Sequence, residues 1–66
     1  MNTIAMRIKA WRLAQGLSQR EFAEAVGIDV TVISKIENGS RIAGIKTLKI
    51  FRDAGVISDK DLLQNI

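Results

Sequence analysis

At 66 residues, with a net charge of +3, 47% apolar and 26% charged residues, and neither cysteine nor histidine, the chain has material for one small hydrophobic core. The composition excludes a disulfide framework, a thiolate metal site and a highly charged disordered tail. Apolar runs such as Ile4-Ala5-Met6 fall far short of the roughly 20 residues that cross a bilayer, and Arg7, Lys9 and Arg12 interrupt the segment where a secretory signal would lie, so a soluble, cytoplasmic protein with a single domain over 1–66 is expected.

The first predicted helix covers about 3–15 and turns Ile8 and Trp11 inward. The second, 18–26, opens on a capping box: the Ser18 hydroxyl accepts from the backbone N–H of Glu21 while the Glu21 carboxylate reaches back to the N–H of Ser18. Phe22, Ala23 and Val26 then gather on one face, and Gly27 stands where a left-handed cap without a Cβ is wanted. Asp29 caps a third helix, 29–38, in which Ile33 and Ile36 face the same interior as Ile28 and Asn38-Gly39 ends the run. Val30, Thr31, Ser34 and Lys35 remain for the outer face, with Val32 leaning inward. A fourth helix over 45–54 supplies Leu48 and Phe51, and a fifth over 58–64 begins with acidic residues in its first turn and presents Leu62 and Leu63. No strand-like alternation, repeat or low-complexity tract interrupts this pattern, and the short connections require the helices to pack together. Ile8, Trp11, Leu17, Phe22, Val26, Ile33, Ile36, Leu48 and Phe51 form the expected core.

Two short helices joined at Gly27 have the layout of a helix-turn-helix. The run from Ile8 through Trp11-Arg12 and Gly16-Leu17-Ser18-Gln19, continued by Ile33-Ser34-Lys35-Ile36-Glu37-Asn38-Gly39, resembles the lambda Cro/C1-type repressor family, also called the XRE family. The spacing is kept over about 30 positions. After Gly39 the likeness loosens: the family commonly has a proline before its fourth helix, whereas this chain has Ser40-Arg41-Ile42-Ala43-Gly44 and no proline anywhere. The resemblance implies a compact five-helix, all-α domain of the lambda repressor type. It also implies a sequence-specific DNA-binding transcriptional regulator, Cro-like or controller-type, that represses by binding a palindromic operator as a homodimer, as small phage or plasmid regulators do.

Within that frame Val30, Thr31, Ser34 and Lys35 are the candidate base readers, with Lys35 able to donate to guanine and Val30 able to touch a thymine methyl. Gln19, at the N-terminus of the second helix where free N–H groups favour a phosphate, is expected to hold the DNA backbone together with Asn38, Ser40 and Arg41, and Lys46 and Lys49 extend the line. Arg12 and Glu37 occupy positions that form a structural ion pair in the family. Residues 1–52 carry nine Lys/Arg against four Asp/Glu and residues 53–66 one against three, which puts the basic surface with the motif, as phosphate binding requires.

The C-terminal third holds more apolar side chains than a short helix pair hides, namely Ile42, Ile45, Ile50, Val56, Ile57 and Ile66. Of these, Val56, Ile57 and Ile66 are expected to meet a second subunit. The alternative functional class is an antitoxin or protein-interaction module that uses the same fold to bind a protein partner. No catalytic residues, cofactor or metal are expected: the serines have no base to activate them, and no glycine-rich phosphate loop is present.

Overall fold

The computed structural model describes residues 3–64, so Ile66 lies outside the described residues. Five helices follow one another, α1 (Thr3–Ala14), α2 (Gln19–Val26), α3 (Val30–Glu37), α4 (Ile45–Asp53) and α5 (Asp59–Gln64), and no strand occurs among the described residues. Each expected helix is present, with ends shortened by a residue or so. Ser18 and Asp29 stand outside the helices they start because their backbones are extended or turned (ψ 166° and 137°) while their side chains accept from the helix N–H groups. The Ser18 box is closed in both directions, Glu21 N–H to Ser18 Oγ at 3.0 Å and Ser18 N–H to Glu21 Oε1 at 2.9 Å. Gly27 takes φ +72° and donates its N–H to the Ala23 carbonyl, a left-handed cap that an L side chain adopts only under strain.

Phe22 is the centre of the core. It is fully buried, with Trp11 at 5.7 Å between ring centroids on one side and Phe51 stacked at 5.9 Å on the other. Ile8 of α1, Ile33 and Ile36 of α3 and Leu48 of α4 close around this aromatic column, and burying each such side chain contributes about 1.5–3 kcal/mol. Trp11, Leu17 and Val26, expected inside, are partly buried and pack against the cluster.

The fifth helix is fastened at its start. The Ser58 N–H and hydroxyl both donate to Asp61 Oδ2, at 3.1 and 3.0 Å, the Asp61 N–H donates to Ser58 Oγ, and Arg7 of α1 reaches Asp61 Oδ1 at 3.2 Å. The Ser58 backbone N–H, with further help from its hydroxyl and from Arg7 and Lys60, holds the Asp61 carboxyl below the usual range against the opposing effect of burial.

This docking bears on the expected pairing surface. Val56 and Ile57 are 7% and 6% exposed and belong to the core of the subunit, with Ile4 and Leu62, because α5 folds back on α4 and closes over them. Little of either is left for a second subunit. Among the described residues, the large apolar side chains that do face solvent are Met6 and Leu13 on α1, Ile42 in the α3–α4 connection, and Ile45 and Ile50 on α4. No helix among the described residues is long and apolar enough to cross a membrane.

Candidate nucleic-acid interface

The third helix presents its outer side through a simple periodicity. Ile33 and Ile36 point inward and are buried, so Thr31 and Lys35, four residues apart, are exposed on one stripe with exposed Asn38 continuing it. Ser34 is half-buried beside them. Val30 is half-buried as well and packs against the core with Val32, so the expected quartet divides: Thr31 and Lys35 project, Ser34 borders them, and Val30 turns mostly inward. Asp29 caps the helix by accepting from Thr31 N–H at 2.7 Å, which fixes the backbone at the end where base-reading side chains are expected.

The angle of α3 is held by one polar network. Arg12 Nε donates to Glu37 Oε2 at 2.8 Å and Nη2 to Glu37 Oε1 at 3.0 Å, while Nη1 donates to the Leu17 carbonyl at 2.8 Å. Both side chains are nearly dry, at 9% and 3% exposed. No buried side-chain nitrogen or oxygen among the described residues lacks a partner, so the desolvation of these charges is answered by a two-point, charge-assisted pair. The hydrogen bond to Glu37 raises the Arg12 pKa further, over the opposing effect of burial.

Gln19 enters the same network, its Nε2 donating to Glu37 Oε1 at 3.2 Å. One N–H of the amide is thereby directed inward and its orientation is set; the second N–H remains at the N-terminal end of α2. Nothing in the linear pattern announces this link, because the two residues lie 18 positions apart.

The turn after α3 uses its own polar groups. Ser40 N–H donates to Asn38 Oδ1 at 2.9 Å, Ser40 Oγ–H donates to the Lys35 carbonyl at 3.3 Å, and the same carbonyl accepts the N–H groups of Ser40 and Arg41. Ser40 therefore shapes the turn with its hydroxyl hydrogen, and Asn38 and Arg41 on either side of it are exposed. Lys46 and Lys49 are exposed on α4.

An α2 whose N-terminus is tied to the end of α3, and an α3 with one stripe open to solvent, define a helix-turn-helix domain. The helix-turn-helix family profile matches residues 8–54, and the chain belongs to that family, in its lambda Cro/C1, or XRE, form. The matched span runs from the middle of α1 to the end of α4. The chain is also similar to YazB of Bacillus subtilis (strain 168), described as an uncharacterized HTH-type transcriptional regulator, at 36% identity over 56 residues that cover 85% of this chain and 81% of that one. No solved structure gave a significant match.

Proposed function

We propose that the chain is a sequence-specific DNA-binding transcriptional regulator that represses by occupying an inverted-repeat operator as a homodimer. The observation that carries this reading is the exposed Thr31–Lys35 stripe of α3, held rigidly against the N-terminus of α2 by the Arg12–Glu37–Gln19 network. Thr31 and Lys35 read base edges in the major groove with Ser34 at the margin, and Val30 contributes at most the edge of its methyl groups. Gln19, Asn38 and Arg41 hold phosphates, while Ser40 keeps the turn in shape for Arg41. The named relative, an uncharacterized HTH-type transcriptional regulator, supports the transcriptional-regulator part of this reading.

Two recognition helices of a dimer sit about 34 Å apart on successive major grooves, and a subunit 27 × 23 × 19 Å in extent is small enough for two copies to lie side by side at that spacing. With Val56 and Ile57 inside the core, Ile42, Ile45 and Ile50 are the exposed large apolar side chains of the C-terminal third among the described residues, and this reading assigns the pairing to them.

The test is selection of bound sequences from random duplex DNA, followed by titration of the selected site at two salt concentrations. An inverted repeat is expected, and Lys35→Ala should weaken binding to it by about 1–3 kcal/mol while relaxing the preference at one base pair. Arg41→Ala should weaken all sequences alike and lower the salt slope by about 1. A folded protein that selects no sequence would overturn the proposal.

A further inference from the structure

The first helix is apolar on two sides. Its inner side carries Ile4, Ile8 and the partly buried Trp11 into the core, yet on the far side Met6 and Leu13 are 60% and 58% exposed with exposed Ala10 between them. The spacing i, i+4, i+7 lines these three up along two turns, about 10 Å of helix. Small Ala10 between two long side chains leaves a notch into which one side chain of a second helix fits. The stripe lies opposite the face that α1 turns to α3, so it stays open when α3 lies against DNA.

The charge around the stripe selects its occupant. Helix α1 contains Arg7, Lys9 and Arg12 and no acidic residue. Arg12 is buried against Glu37, but Lys9 flanks the stripe on one side and Arg7, still 60% exposed while it touches Asp61, flanks it on the other. A second copy docked here through a twofold axis would set the same cations against each other. We propose that the Met6–Ala10–Leu13 face of α1 is a docking surface for a partner protein that presents an amphipathic helix with acidic residues beside its apolar stripe, bound independently of DNA.

The probe is a designed fluorescent peptide of about 16 residues, long enough at ~1.5 Å per residue to cover the face, with leucines at i, i+4 and i+7 and glutamates on both flanks. Its control has lysines in place of the glutamates. The acidic peptide is expected to bind with a micromolar dissociation constant and the lysine peptide on the order of tenfold more weakly. Leu13→Glu and Met6→Glu should each abolish acidic-peptide binding, and Lys9→Glu should reverse the preference between the two peptides. Circular dichroism and an unchanged affinity of the Leu13→Glu variant for DNA report that the fold and the DNA-binding face are intact. Equal binding of both peptides, or no binding of either to the folded protein, overturns the proposal. So does a self-association, measured by sedimentation, that Leu13→Glu abolishes, because the face would then belong to a second copy; binding of the wild-type chain to anionic lipid vesicles that requires Leu13 overturns it in favour of a membrane.

Discussion

Arg12 and Lys35 illustrate how differently two basic residues of one chain are used: one is buried in the fold, the other is open to solvent and proposed to read DNA. Arg12 sends all of its guanidinium contacts inward, to both oxygens of Glu37 and to the Leu17 carbonyl, whereas Lys35 is exposed on α3. Removing Arg12 strands a nearly dry carboxylate, so Arg12→Ala should lower the unfolding free energy by about 3–5 kcal/mol in urea titration. Arg12→Lys should recover only part of the loss, since an ammonium cannot reproduce the planar fork. Lys35→Ala should leave stability within about 0.5 kcal/mol and act on DNA affinity alone. Were Arg12→Ala as stable as the parent, the pair would have no structural role. The stripe of Thr31 and Lys35 was legible in the sequence, because Ile33 and Ile36 fix which side of the helix is inside. Val30 was not, since at the first position of a helix its direction depends on how the preceding turn enters, and here it packs against the core.

At the scale of elements, the second, third and fifth helices were legible through their start signals, the Ser18 box, the Asp29 cap and the acidic opening of the fifth. The first and fourth were legible through their apolar residues alone, and α4 starts at Gly44 without a side-chain cap. The later starts of α2 and α3 arise because Ser18 and Asp29 contribute side chains to a helix without joining it. What a linear pattern does not contain is where a short helix lands. Val56 and Ile57 have the same apolar character whether they meet a neighbour or their own core, and only the return of α5, fastened by Arg7–Asp61, decides between the two. The turn that orients α3 gives a sharper test of element-level physics. A Cβ built on Gly27 meets nothing within 4 Å, so only its φ of +72° resists substitution. Gly27→Ala is expected to destabilise by roughly 1–2 kcal/mol, visible as a lower urea midpoint with an unchanged slope. On the proposed function, the α3 stripe of the variant should show the same DNA preference as the parent at temperatures where the variant is folded; altered preference would mean that the turn had moved α3.

At the scale of the whole molecule, composition and two capped carboxylates set how stability depends on pH. Without histidine, the chain lacks the one side-chain type whose ordinary pKa lies between about pH 5 and 8. The acid limb is different. Glu21 is held below the usual carboxylate range chiefly by the Ser18 backbone N–H and hydroxyl, and Asp61 chiefly by the Ser58 backbone N–H. For both, the folded state favours the ionised form more than the unfolded chain does. Their contribution to stability is therefore complete above the unfolded value, about pH 4, and is lost as pH falls through the lower folded value. Urea midpoints should stay level from pH 8 to about 5.5 and then fall below about pH 4. The Ser18→Ala and Ser58→Ala variants remove hydroxyl partners that help to depress these carboxyls, so each should start from a lower plateau and descend less steeply. A midpoint already falling between pH 8 and 6 would contradict this account, because it would require a group titrating there that the fold ties to its own stability, and neither helix cap contains one.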